Sequence, residues 1–336
     1  MRLVNYLVVI FALATLFMLP QKIEATTETT IGGNLVATIN PKYPKAGELV
    51  VIRLQGYGYD IESSRISWII DKEIELQGIA RKEHSFRVGN IGSQTAITIV
   101  VETLSGRQII KNIVFRPAEV DLIWEADTYI PTDYKGAPLP TLGSVVTLTA
   151  IPNLRSGSLW IKPENLTFKW KKDFQNLTRE SGRGKDSITF TLDKEASEIE
   201  VIAESPEFGI IATNKVVIKA FQPEIIIYPI KPLTGAIAEV VGNLFITTNN
   251  ISGFKVEPYF IPRNLVDSRL LRYEWSTNTN KIPFISRDSF FRFENLPLFE
   301  FGSSTISVKV TNSIEDTILG QKSWTVERGR TNTFFE

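Results

Sequence analysis

The sequence predicts an all-β chain of three sandwiches in series, and three observations carry the prediction. Tryptophans recur in similar settings, Ile66-Ser67-Trp68, Phe168-Lys169-Trp170 and Tyr273-Glu274-Trp275, 102 and 105 residues apart. The residues leading to each alternate apolar and polar, the period of a half-buried strand. The same series of further strands follows each tryptophan. A repeat near 100 residues matches one immunoglobulin-like domain, so the fold class is three tandem immunoglobulin-like β-sandwiches after an N-terminal signal or anchor helix.

Ahead of the first repeat, Arg2 precedes an apolar run from Leu3 to Leu19, followed by Pro20 and Ile23-Glu24-Ala25, a small residue standing before Thr26. Residues 1–25 therefore read as a secretory signal. The length of the run and the isoleucine at its −3 position give an uncleaved N-terminal anchor as the alternative. Either way the remainder is expected to be exported, extracellular or at the cell surface, with a membrane reached only through residues 3–20. Residues 26–32 read as a linker.

Downstream of each tryptophan an aromatic strand comes first: Ser85-Phe86-Arg87-Val88, Ser187-Ile188-Thr189-Phe190-Thr191-Leu192 and Ser289-Phe290-Phe291-Arg292-Phe293. An alternating strand begins at Ile97, Ile199 and Ile306, offsets of 29, 29 and 31 from the tryptophan. A last strand closes each repeat near Ile109, Lys215 and Gln321. The corners before the alternating strand of repeats one and three share Gly92-Ser93-Gln94-Thr95 and Gly302-Ser303-Ser304-Thr305, glycine suiting a corner with positive φ. Repeat two has Asp193-Lys194-Glu195-Ala196 there, so a different corner is expected. The resulting domains are 33–118, 119–221 and 222–328, with a tail at 329–336. Short links around Pro117 and Pro223 imply a semi-rigid rod.

Composition narrows the function classes. Thirty-seven basic residues balance 37 acidic ones, which gives no excess positive charge for nucleic acid. No cysteine is present, which removes disulfides, thiolate metal sites and thiol nucleophiles. The single histidine, His84, reads as a surface side chain on a strand and leaves no Ser-His-Asp set. The glycine-rich Ser181-Gly182-Arg183-Gly184-Lys185-Asp186 departs from a phosphate loop, with Arg179 where its first glycine belongs and Asp186 in place of Ser or Thr. It reads as a strand connection, and the chain is expected not to be an enzyme.

These residues resemble bacterial surface domains of the PKD and immunoglobulin-like type, in which a strand tryptophan, a glycine corner and an alternating strand recur in this order. The Trp-Asp-Phe-Gly-Asp-Gly run of typical PKD domains is absent: Trp68-Ile69-Ile70-Asp71, Trp170-Lys171-Lys172-Asp173 and Trp275-Ser276-Thr277-Asn278 stand there. The stretch from Val120 to Asn153, with Trp124-Glu125-Ala126-Asp127 and Tyr134-Lys135-Gly136, also resembles uncharacterised exported proteins of reduced-genome candidate-phyla bacteria. The resemblance implies a surface habitat and no activity.

Two constellations are candidate sites. Glu119, Asp121, Glu125 and Asp127 cluster where repeats one and two meet, and hard oxygen ligands there suit calcium, the only cofactor suggested. Tyr129, Tyr134 and Trp160 lie in Pro- and Gly-rich connections of repeat two, at 128–143 and 152–165. Phe254, Tyr259 and Phe260 lie in an insertion of repeat three at 249–270. Loop aromatics on a rigid scaffold suit glycan or protein recognition, or fold back to cover a sandwich end. Trp68, Trp170 and Trp275 are expected in the cores. The expected function is a non-catalytic structural or adhesive surface module with surface or appendage proteins as partners. The alternative is a secreted binding accessory that uses the loops of repeats two and three on glycans or proteins.

Overall fold

The computed structural model describes residues 34–237, 239–247, 251–278, 284–292 and 303–328. The signal or anchor, the linker, the tail and the corner glycine Gly302 lie outside the described residues. The first seven strands are β1 (Asn34–Asn40), β2 (Leu49–Tyr57), β3 (Arg65–Ile70), β4 (Glu73–Ile79), β5 (Glu83–Arg87), β6 (Thr95–Glu102) and β7 (Gln108–Phe115). The next ten are β8 (Glu119–Asp127), β9 (Val145–Asn153), β10 (Arg155–Ser156), β11 (Leu159–Trp160), β12 (Thr167–Lys172), β13 (Gln175–Asn176), β14 (Gly182–Arg183), β15 (Ser187–Thr191), β16 (Ala196–Ser205) and β17 (Ile210–Lys219). The last group is β18 (Glu224–Lys231), β19 (Gly235–Ala236), β20 (Leu244–Thr247), β21 (Gly253–Tyr259), helix α1 (Arg263–Asp267), β22 (Leu271–Thr277), β23 (Phe284–Ser286), β24 (Phe290–Arg292), β25 (Ser303–Asn312) and β26 (Ile318–Arg328).

Strand order repeats three times: β1-β2-β5 with β4-β3-β6-β7, β8-β9-β15 with β13-β12-β16-β17, and β18-β21-β24 with β23-β22-β25-β26. Two antiparallel sheets in this order make a sandwich. The fold is immunoglobulin-like. The third sandwich adds β20, which runs parallel to β26 with Leu244 opposite Thr325. The chain divides into two compact units, Met1–Glu119 with Pro152–Thr167 and Ala203–Thr213, and Val120–Ile151 with Phe168–Ile202 and Asn214–Glu336.

In the first unit, alternation along β2, β3 and β6 turns Val50, Ile52, Ile66, Trp68, Ile97 and Ile99 into one core. His84 shares the inward parity of Phe86, which corrects its expected surface position. Its ring lies 5.5 Å from that of Trp68 and its Nε2 is 3.2 Å from a Glu75 carboxylate oxygen. The β10–β11 hairpin also belongs to this unit. There Gly157 N–H donates to the Gly92 carbonyl (3.0 Å), and Gly92 bridges to Ser156. Gly92 has φ +85°, and a Cβ there would collide with the Gly157 carbonyl. The corner glycine therefore serves both its own turn and a close backbone approach.

The second unit buries Phe168, Trp170, Leu148, Ile188 and Val201 in the middle sandwich. In the third, Phe254, Val256, Trp275, Ile306, Val308 and Trp324 form one cluster. The supposed insertion at 249–270 is corrected here: Gly253–Tyr259 is β21, a strand with neighbours on both edges, and Phe254 is a core residue. Pro258 and the charged Lys255 and Glu257 had disguised the strand.

A shared clasp lies three residues after each tryptophan. Asp71 accepts a hydrogen bond from Ala96 N–H (2.8 Å), Asp173 from Glu198 N–H (3.0 Å) and Asn278 from Thr305 N–H (3.2 Å). Asp71 and Asp173 sit at positive φ in two-residue turns, a conformation Asp tolerates better than most residues. The repeat thus includes a Trp-x-x-Asp/Asn device that ties the end of the tryptophan strand to the start of its sheet neighbour, β6, β16 or β25.

Candidate functional site

The aromatic loop residues of the second and third sandwiches, apart from Trp160 and the core residue Phe254, come together inside the second unit. The chain leaves β8 at Thr128, which bridges to Pro262. Tyr129 N–H donates to the Ile261 carbonyl (2.7 Å), and Phe260 N–H donates to the Tyr129 carbonyl (2.7 Å). These paired bonds join the connection after β8 to the one after β21 like a short ladder. Farther along, the Thr141 hydroxyl donates to the Phe260 carbonyl (2.8 Å), and Phe221 N–H donates to the Pro140 carbonyl (2.7 Å). Phe260 holds φ +62°, which turns the chain sharply after β21.

Side chains close the same joint. The Tyr129 hydroxyl donates to Glu257 Oε1 (2.5 Å), and Lys255 Nζ lies 2.5 Å from Glu257 Oε2. Glu257 is 5% exposed, so these two partners, rather than water, satisfy its carboxylate oxygens. The Tyr228 and Tyr259 hydroxyls share a hydrogen bond of 2.8 Å. Tyr134 meets Tyr259 and Phe260 edge-on, each at 5.6 Å between ring centres. Arg263, opening α1, pairs with Asp127 (2.9 Å) and donates to the Thr128 carbonyl (3.2 Å). Burial pushes the Tyr129 phenol well above its ordinary range, and the bond to Glu257 adds to this. Burial does the same to Tyr259, helped by Tyr228, and to Tyr273, helped by the Glu257 charge.

The other sequence candidates lie elsewhere. Trp160 is on β11 in the first unit, half-exposed beside Leu159. Glu119, Asp121, Glu125 and Asp127 all lie on β8. Alternate residues of a strand are about 6.7 Å apart, so Asp121 and Glu125 are separated by about 13 Å, too far for oxygens about 2.4 Å from one ion. Asp127 is engaged by Arg263, and no three His, Cys, Asp or Glu among the described residues are grouped to hold a metal. Trp68, Trp170 and Trp275 are all buried. The first two donate their indole N–H to a main-chain carbonyl, of Arg81 (2.8 Å) and Lys185 (2.9 Å). The glycine-rich segment at 181–186 is thus part of the cradle around Trp170. Among the described residues, Trp275 and Trp324 have no partner for their indole N–H.

A shallow depression of about 480 Å³ lies on the outer face of β22, β25 and β26, lined by Glu274, Ser276, Ser307, Lys309, Gln321 and Ser323. Ser307 and Ser323 bond to each other (2.8 Å), and Lys309 pairs with Glu274 (2.7 Å). A hydroxyl held by another hydroxyl has no base to take its proton, so this face offers hydrogen bonds without an activated nucleophile. Among the described residues no helix is long and apolar enough to cross a membrane.

No protein-family model matches the chain, and no curated protein matches it. Solved structures similar to it include three N-terminal domains of the bacteriophage RB49 Highly Immunogenic Outer Capsid protein, at 11% identity and TM-score 0.25, covering 88% of this chain and 99% of that one. The fibronectin(III)-like modules of Clostridium thermocellum CbhA match 56% of this chain and 95% of theirs, at 14% identity and TM-score 0.27. Immunoglobulin domains 1–5 of Sidekick-1 match 90% of this chain and 59% of theirs, at 10% identity and TM-score 0.28. The fold assignment itself rests on strand order.

Proposed function

We propose that the chain is a non-catalytic structural and adhesive module of a bacterial cell surface, exported by residues 1–25 or anchored through them. The observation that supports this most is the joint in the second unit. Tyr129, Tyr134, Tyr259 and Phe260, residues suited to gripping a ligand, instead hold two sandwiches to each other through main-chain bonds, ring contacts and the Tyr129–Glu257 pair. A joint so tied favours holding a partner at a fixed distance and direction. Fractionation with affinity recovery tests the proposal: the tagged chain should be found with the envelope and bring down surface or appendage proteins. Recovery in the culture medium without such partners would overturn it.

A second reading, a secreted binding accessory, draws on Trp160. Its half-exposed indole on a short hairpin beside Leu159 offers an apolar platform for a sugar ring or a protein side chain. Glycan-array binding lost in Trp160→Ala with unchanged melting would favour it over the first reading.

A further inference from the structure

In each sandwich the sheet containing the repeat tryptophan turns one face outward. On the second and third sandwiches that face carries ion pairs, Lys171–Glu200 (3.0 Å), Lys215–Glu198 (3.1 Å) and Lys309–Glu274 (2.7 Å). The first sandwich departs from this pattern. Its register across β4, β3, β6 and β7 sets out rows of outward residues: Ile79–Arg65–Glu102–Gln108, then Gln77–Ser67–Val100–Ile110, then Ile74–Ile69–Thr98–Asn112, then Ala96–Val114. Charge is confined to Arg65 and Glu102 in the end row. Glu75, the extra residue where the register of β4 shifts, pairs with His84 instead. Ile74 and Ile79 are 62% and 65% exposed, and Ile110 and Val114 are 37% and 39% exposed. The polar members bond among themselves: Gln77 Nε2 donates to the Ser67 hydroxyl (2.8 Å), and the Thr98 hydroxyl donates to Asn112 Oδ1 (2.9 Å). Covering this face would bury aliphatic surface and leave few polar groups unpaired.

We propose that this face is a self-association surface whose partner is the same face of a second copy of the chain. Place a two-fold axis parallel to the strands between β3 and β6. Strand β3 of one copy then lies over β6 of the other, so Arg65 of each opposes Glu102 of its mate. The only charges in the lattice are thereby self-complementary, as an isologous contact requires. The chain's 37 basic and 37 acidic residues set no long-range repulsion between copies. Four strands about 4.8 Å apart and four rows about 6.7 Å apart make a patch of roughly 400 Å² seen face-on. That is smaller than the roughly 800 Å² per partner of a standard stable interface, so the association belongs to the weak, reversible class.

Sedimentation velocity on the full chain from about 1 to about 300 μM reads the association. The native chain should shift from monomer toward dimer across that range, and Ile110→Lys should weaken the association at least about ten-fold with melting unchanged. The decisive arm uses charge reversal. Arg65→Glu alone and Glu102→Arg alone should each self-associate at least about ten-fold more weakly, while an equimolar mixture of the two associates as the native chain does. A variant that merely misfolded would not be rescued by mixing. A native chain monomeric throughout, or a mixture no tighter than its components, would overturn the proposal. So would association that survives Ile110→Lys but disappears when residues 1–33 are removed.

Discussion

Replacing Tyr129 with phenylalanine keeps the ring in the joint and removes only the hydroxyl that donates to Glu257 at 2.5 Å. Glu257 is 5% exposed, so water cannot readily replace the lost donor, and Lys255 remains as its other partner. A hydrogen bond to a charged acceptor contributes about 1.5 to 3 kcal/mol. Tyr129→Phe should destabilise the second unit by that amount, lowering its melting temperature by roughly 3 to 10 °C for a unit of this size. Calorimetry of the full chain is the assay, read on the transition that carries the second unit. Glu257→Gln and the double variant complete a cycle, and a coupling of about 1 kcal/mol or more is expected. The same hydroxyl sets a pH dependence. Its folded pKa is raised above the unfolded value of 10.0, so the contribution is complete below about pH 10 and is lost as pH rises toward the folded value. Native protein should therefore lose stability above about pH 10 more steeply than Tyr129→Phe. A Tyr129→Phe chain within about 0.5 kcal/mol of native, with the same alkaline profile, would refute the reasoning.

The tryptophans should separate by their hydrogen bonds. Alanine at Trp68, Trp170 or Trp275 should cost roughly 3 to 5 kcal/mol in denaturant titrations. Trp275→Phe should cost about 1 to 2 kcal/mol less than Trp68→Phe, because Trp275 loses an unpaired N–H whereas Trp68 loses its bond to Arg81. Asp71→Ala and Asp173→Ala should each cost about 1 to 2 kcal/mol by loosening the clasp on Ala96 and Glu198, and equal stability of variant and native chains would contradict that role. Gly92→Ala should destabilise by about 2 kcal/mol or more, from positive φ together with the Gly157 carbonyl. Gly157→Ala meets open space and should cost only about 1 kcal/mol for its φ of +61°.

The cores were readable because each rests on local alternation. The strands after Trp68 and Trp170 carry apolar residues at every second position, and the observed β6 and β16 bury that set. The strand β21 was hidden because Lys255 and Glu257 interrupt the apolar pattern and Pro258 is a poor strand residue. Its outer face is polar because Tyr129, far away in sequence, supplies a hydrogen-bond partner for Glu257. The joint was illegible for the same reason: no window around Tyr129 or Tyr259 contains both halves. Aromatic rings in Pro- and Gly-rich connections suit a ligand and a neighbouring sandwich equally well by composition. The clasp does carry a local signal, the Asp or Asn three residues after each tryptophan. His84 suggests a surface position by its polarity, whereas its parity with Phe86 along β5 turns it inward.

Native-state hydrogen exchange at the joint tests most directly whether these loops are built for structure. Protection at the amides of Tyr129, Phe221 and Phe260 should match that of the strands of the third sandwich, since each donates a main-chain bond of 2.7 Å within the joint. Exchange at those three amides as fast as in an exposed turn would mean the connections are free, and the structural reading of their aromatic residues would not stand.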